Sequence, residues 1–461
     1  MPDVSSGEPP SPAETTDHTA WDMARANGAP RPDRVSVSDY LHFPLAPSDP
    51  DRGMLDGVPR LRPDGVAHGG RHVRHSFHPG RRFRLDAAVD CLDQHVREAV
   101  RAAVRGATRV GVLATGGLDS SVVAAVAAEV TGRPPLLVSI RGGLCGDLES
   151  ELQDDLASEL DGDHLILDDI PPFTLDPLFR LNRGCDLPRG GVFSHVWDQA
   201  CALAADAGAD VLLTGEGGDE LFGAGPALAA DLLAGGRLFA AAAVLGRGRR
   251  SDDAGYVSGL VRQLSSRAFL PALTQPTGAE MALRWRGTYA ADAPAATARR
   301  TAQLARLRGV GLSAAAAVRA VWLERPDLHA AADSEARISC RWPLAESQAL
   351  ADCVDAIPPS SFAPVRAGCQ DKHLLRLVAR RRLPARITEQ RKVGVVNQIS
   401  VLLRGIERLP HRDRLTAAAA WLGVTLDDAF WRPSVLPAEL GLDWTRLLAL
   451  CAWADNADDR R

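Results

Sequence analysis

The sequence lacks most of what would place it at a membrane, in an oxidising compartment or on nucleic acid. No apolar run in its 461 residues approaches the roughly 18–20 that a membrane-spanning helix needs. The opening stretch, MPDVSSGEPPSPAETTDHTA, has neither the charged start nor the apolar centre of a secretory signal, so a cytoplasmic location is expected. The eight cysteines (Cys91, Cys145, Cys185, Cys201, Cys340, Cys353, Cys369, Cys451) contain no CxxC pair. They read as reduced, mostly buried small hydrophobes, neither a disulfide set nor a zinc site. A formal net charge of −5 gives no electrostatic reason for a nucleic-acid partner. The basic stretch RHVRHSFHPGRRFR, residues 71–84, reads as a solvated turn, and its His72, His75 and His78 have no nearby acid or cysteine to complete a metal site. There is no internal repeat.

What is present is a hydrophobic content of 46%, ample for a globular interior, in a chain long enough for two or three domains. Residues 1–33 are rich in Pro, Ser and acids and are expected to be a disordered tail. Residues 34–84 promise order without a long periodic element. From Leu85 a helical period appears, with Leu85, Val89, Leu92, Val96, Val100 and Val104 on one face. Strands are then predicted at 109–114, 136–140, 164–167 and 210–215, separated by helical stretches at 121–130, 148–160 and 194–208. That alternation implies an α/β fold with a parallel sheet and helices on its faces. Beyond about residue 225 the chain turns Ala- and Leu-rich and mostly helical. Trp197 and Trp342 are expected in core or interface.

Two of the predicted strands end in unusual loops. The first is ATGGLDSS, residues 114–121. Gly116 and Gly117 would let backbone N–H groups close on an anion, Thr115, Ser120 and Ser121 add hydroxyls, and the following helix aims its positive end at the same spot. Asp119 would repel a bare anion, so a bridging Mg²⁺ is implied. The GxxxxGK[ST] pattern of P-loop NTPases is absent. A tight strand-to-helix turn capped by serine is the alternative. The second loop, TGEGGDELFG at 214–223, sets Glu216, Asp219 and Glu220 among Gly215, Gly217 and Gly218. Three carboxylates on so bare a loop repel one another unless a cation offsets them, the alternative being a solvated acidic turn.

TGGLDSS resembles the SGGLDSS pyrophosphate loop of the N-type ATP pyrophosphatases, with Thr115 for serine, and LLTGEGGDELFG resembles the SGEGGDELFGG motif of the asparagine synthetase branch. Residues 370–394, QDKHLLRLVARRRLPARITEQRKVG, are similar to that family's K-x-LLR…LP…RxKxG segment, and residues 36–65 resemble the tail joining an amidohydrolase domain to the synthetase domain. The resemblance implies an N-type ATP pyrophosphatase fold at 85–400, a remnant or linker of the amidohydrolase domain at 34–84, and a helical C-terminal extension at 401–461. It implies an ATP-dependent, AMP-forming amide synthetase that adenylates a carboxylate, releases pyrophosphate and couples the acyl group to an amine. Carried over, the backbone of residues 115–120 (with Leu118, Gly215 and Gly217 nearby) holds pyrophosphate. Asp119 and Asp219 share Mg²⁺, Leu113, Ala114, Ser139 and Ile140 flank adenine, and Glu216 lies at the acyl-adenylate. Lys392 neutralises phosphate charge. Lys372 falls in the same region, with ion pairing to Asp371 or Glu389 as its alternative. Arg380 to Arg382 would reach phosphates or mark an exposed helix end.

The chain departs from the pattern in two ways. It begins Met-Pro-Asp, its first cysteine is Cys91, and fewer than 85 residues precede the synthetase region, so it is not expected to hydrolyse glutamine itself. Where the family reads R-x-PFLD, residues 341–346 read RWPLAE; the usual aspartate is expected to be missing and the acid not to be free aspartate. The segment after residue 221 resembles lasso-peptide cyclases and similar natural-product synthetases. A macrolactam-forming or small-acid-amidating enzyme leads, with a partner protein delivering peptide or ammonia. An ammonia-dependent asparagine synthetase-like enzyme with a partner glutaminase, a β-lactam synthetase-like enzyme using one of Tyr40, Tyr256 or Tyr289, and a non-catalytic nucleotide-binding scaffold are the alternatives.

Overall fold

The computed structural model describes residues 19–42, 48–49, 51–60, 84–141, 143–170, 173–191, 193–223, 226–247, 280–309, 313–323, 338–362, 372–390, 402–403, 406–436 and 440–457. Its centre is a five-stranded sheet whose sequences carry no alternation, because both faces are covered. Strand β1 (Val110–Leu113) is buried at every position, and so is β4 (Val211–Leu213); β2 (Leu136–Ile140) is buried except at its last residue. With β3 (His164–Leu167) and β5 (Ser339–Arg341) they form an all-parallel sheet ordered β3-β2-β1-β4-β5. Successive strands run outward from β1 to β3, and the chain then returns to β1's other side for β4 and β5. The order therefore reverses between β1 and β4, where ligands of open parallel sheets collect beyond the strands' carboxyl ends.

The helices follow the predicted alternation closely. Helix α3 (Leu85–Ala103) buries Val89, Leu92, Val96 and Val100 in the core shared with the sheet, packed chiefly against the helix Leu118–Thr131, while Leu85 stays exposed. Helix α4 (Leu118–Thr131) is apolar nearly all round because it is enclosed, and Gly132 in the left-handed region ends it. Helix α5 (Asp147–Leu160) opens with the Glu149 carboxylate accepting from the Gly146 N–H at 3.0 Å. Helix α7 (Ser194–Asp206) precedes β4. Strand β5 escaped prediction; only three residues long, it carries no period and is defined by pairing Cys340 with Leu212.

Several expectations need correction. The tail expected at 1–33 is helical from Ala20, in α1 (Ala20–Ala26), whose Trp21 is 1% exposed. Thr19 and Asp22 cap that helix reciprocally. A further nine-residue helix, α2 (Arg34–His42), stands in the stretch expected to be ordered without a long periodic element. Residues 401–461, expected as a helical extension, carry the helices Arg412–Leu422 and Gly441–Ala454 among the described residues. Leu415, Leu422, Trp444, Leu447 and Trp453 share a second core with Trp21, Val37, Met54 and Leu55, and with residues of α6 (Asp176–Asn182). Its hub is a tryptophan triad: Trp21 and Trp453 stand 4.9 Å apart by ring centroids, Trp421 lies 5.7 Å from Trp21, and both Trp21 and Trp453 donate Nε1–H to the Cys185 carbonyl. In a protein only 5% aromatic, gathering these rings ties the two ends of the chain together. Trp342 is buried and Trp197 packs partly buried against the first core. Among the described residues no helix is long and apolar enough to cross a membrane. His72, His75 and His78 lie outside the described residues.

Candidate functional site

Because β1 and β4 are hydrogen-bonded neighbours, the loops that leave them touch. The first passes Thr115, exposed, and Gly116 and Gly117 before entering α4 at Leu118. The second passes Gly215 and Glu216 into the short helix α8 (Gly218–Phe222). Glycine is needed here chiefly for the approach of one loop to the other: a Cβ on Gly218 would lie 2.5 Å from Asp119 Oδ1. Gly217 has φ +90°, and a Cβ there would also press on the Ala345 backbone.

The hydroxyls of the first loop do not wait for an anion. Ser120 Oγ and Ser121 Oγ donate to the Gly117 carbonyl at 3.1 and 2.8 Å, and both serines are buried. In this arrangement the backbone N–H groups of the first turn of α4, with the exposed Thr115, face the place expected for the anion. At the expected adenine edge, Ala114 N–H donates to the Val138 carbonyl at 2.8 Å and Ser139 Oγ to the Ala114 carbonyl at 2.8 Å. Leu113, Ala114 and Ser139 are buried and Ile140 partly so; a base set against them meets mostly backbone.

At the centre, Lys372 projects its ammonium between the two loops. Its Nζ lies 2.7 Å from Asp219 Oδ1 and closer still to Asp119 Oδ2. The lysine is 5% exposed, and its backbone takes φ 57°, a left-handed conformation rare for a side chain this large. Burial pulls its ammonium toward neutrality, but the Asp119 and Asp219 carboxylates outweigh that and hold its pKa above the ordinary lysine value. Of the alternative partners, Glu389 pairs with Arg380, and Asp371 lies outside the described residues. Lys392 also lies outside them. Two carboxylates from adjacent loops converging on one cation form a hard-oxygen donor set that fits Mg²⁺, with Lys372 as the charge balancing them here.

Glu216 is exposed at the mouth of the site, with its backbone N–H bonded to Thr214 Oγ1 at 3.1 Å. On the far side, the carboxylate expected to be lost from the R-x-PFLD segment is retained, one methylene longer, as Glu346. It accepts from Arg341 Nη2 at 2.6 Å, from Arg341 Nε at 2.9 Å and from the Trp342 N–H at 2.8 Å. Aligning that motif by its arginine and proline would have found it. Arg381 and Arg382 do not reach toward phosphates; they pair with Asp90, Asp93 and Glu129 on α3 and α4. Tyr40 and Tyr289 are buried in the second core, and Tyr256 lies outside the described residues.

No curated protein matches the chain. Among solved structures, an NH3-dependent NAD synthetase from Campylobacter jejuni, in complex with the nitrate ion, is similar at 11% identity and a TM-score of 0.20, over 31% of this chain and 60% of that one. The match thus spans less than two thirds of that chain, and a likeness this low carries no argument. The profile of the family described as Asparagine synthase matches residues 92–429, which take in the whole sheet, both glycine loops and Lys372. The chain belongs to the asparagine synthase family, whose chemistry is ATP-using carbon–nitrogen ligation.

Proposed function

We propose that the protein is an AMP-forming amide synthetase: it transfers AMP from ATP to a carboxylate, releases pyrophosphate, and lets an amine displace AMP to leave an amide. The observation that carries this reading is the meeting of two glycine loops at the β1/β4 reversal, their Asp119 and Asp219 carboxylates closed on the Lys372 ammonium. The backbone of residues 115–120 cradles the pyrophosphate, and the strand ends at Leu113, Ala114, Ser139 and Ile140 flank the adenine. Asp119 and Asp219 would hold Mg²⁺, which would supply charge neutralisation for the phosphates. Lys372, displaced from that pair, and Lys392 stabilise charge on the departing pyrophosphate. Glu216 orients or deprotonates the amine at the mouth.

The acid is proposed to be a peptide or a small natural-product acid, not free aspartate. What supports this is the resemblance of the segment after residue 221 to natural-product synthetases; the Arg341–Glu346 pair does not bear on it, since the family's own arginine and acid stand at the same positions. An intramolecular amine or ammonia from a partner protein completes the reaction. The test is to incubate the protein with MgATP and candidate acids and resolve the nucleotides chromatographically. AMP and pyrophosphate are expected, dependent on the acid; ADP and phosphate alone would refute the mechanism. Asp119→Ala and Asp219→Ala are expected to abolish pyrophosphate release.

A further inference from the structure

Behind the sheet, the fold gathers three soft donors that the sequence scatters. Cys91 and His95 stand four residues apart on α3 and so share a face. Cys353 comes from the helix Gln348–Asp355, which packs across α3. The Cys91 and Cys353 sulfurs lie 2.8 Å apart, and the ligand atoms of all three residues fall within 4.8 Å of one another. Each residue is half-buried, open enough for an ion to enter. Nδ1 of His95 is 3.2 Å from Glu98 Oε2, one turn further along α3.

We propose that Cys91, His95 and Cys353 form a binding site for a thiophilic divalent cation of the zinc class. The donor set is two thiolates and an imidazole, the softness such an ion selects, and the fourth tetrahedral position is left to water. Zn–S bonds of about 2.3 Å require the two sulfurs to part by about 1 Å, a rotamer-scale adjustment. With Nδ1 facing Glu98, Nε2 is the nitrogen for the metal, and the carboxylate fixes the tautomer from behind. Zinc-class ions bind thiolate, so binding releases the thiol protons.

The role is structural. The helix Gln348–Asp355 follows directly on β5 and the Arg341–Glu346 pair, while Asp90 and Asp93 of the same α3 hold Arg381 and Arg382 just after the helix that presents Lys372. A cation here fastens the segment that follows β5 to α3, on which Arg381 and Arg382 are also held. The inference is independent of the ligase reading.

The experiment uses the full chain, reduced, stripped with chelator and titrated with Co²⁺ alone, then with Zn²⁺ alone. The expected result is one cobalt per chain, with a near-ultraviolet thiolate charge-transfer band and four-coordinate visible bands that Zn²⁺ bleaches. Affinity should weaken as pH falls. Cys91→Ser and Cys353→Ser each lose the charge-transfer intensity, and Glu98→Gln weakens binding by about 10-fold without changing stoichiometry. His95→Gln, at a side chain 26% exposed, tests the site with the least risk to folding, and Zn²⁺ should raise the melting temperature of the wild type but not of this variant. No thiolate band in the wild type, an unchanged band in the cysteine variants, or a persistent Cys91–Cys353 disulfide in the isolated protein overturns the proposal.

Discussion

Replacing Lys372 with methionine isolates the charge balance on which the site rests. The lysine side chain is 7% exposed, Asp119 19% and Asp219 46%. Removing one partner of a buried pair costs about 3–5 kcal/mol, since it strands a desolvated charge. The half-exposed Asp219 contact belongs in the range of about 0.2–1 kcal/mol. Asp119, neither fully buried nor open, sets the sum at about 2–4 kcal/mol. Urea unfolding of Lys372→Met in metal-free buffer reads this loss, and a cycle with Asp119→Asn should show coupling of about 1–3 kcal/mol. Adding Mg²⁺ should recover more stability in the variant than in the wild type, because the freed carboxylates can then hold the ion. Since the folded lysine titrates above 10.5, its contribution is complete below that pH and fades as pH rises through the higher folded value. A loss below about 0.5 kcal/mol, with an additive cycle, would refute the reasoning.

Gly218→Ala should destabilise by about 1–3 kcal/mol and impair pyrophosphate release, as its methyl would lie 2.5 Å from Asp119 Oδ1; an unaltered melting curve and rate would count against the loop contact. Trp21→Ala should release α1 from the tryptophan triad, read as new tryptic cleavage at Arg25 with pyrophosphate release retained. Asp33 is held below the usual carboxylate range: burial opposes this, but Arg52 and the Ser36 N–H outweigh it. Its stabilisation is therefore present above the ordinary carboxylate value of about 3.9 and lost as pH falls through the lower folded value. Asp33→Asn should cost about 1–2 kcal/mol at neutral pH in urea unfolding, discounted for the exposed Arg52, with the difference closing in acid.

The strands and helices between residues 85 and 215 were legible because each is a local pattern. The apolar runs of β1, β2 and β4 announce enclosure on both faces, and Val89, Leu92, Val96 and Val100 of α3 announce one buried stripe. The two glycine loops were legible as cation-demanding from their composition alone. Much else was not. Residues 19–33 read as a tail because short helices carry little period, yet Trp21 finds its partners at Trp421 and Trp453 some four hundred residues on. Ser120 and Ser121 read as hydroxyl donors to a ligand, and the structure shows both resting on the Gly117 carbonyl one turn back.

By itself, then, the sequence determined the α/β core, the first four of its strands along the chain, and the two loops at strand ends, since propensity, periodicity and glycine placement act over a few residues. Only the tertiary structure decided that β1 and β4 lie side by side, so that Asp119 and Asp219 reach one ammonium. It also decided that the ammonium belongs to Lys372 and that Cys91 meets Cys353 across 262 residues. The physical reason is one of range: a buried charge or a soft donor must find its partner wherever packing brings it, and that distance is not written in the spacing of residues.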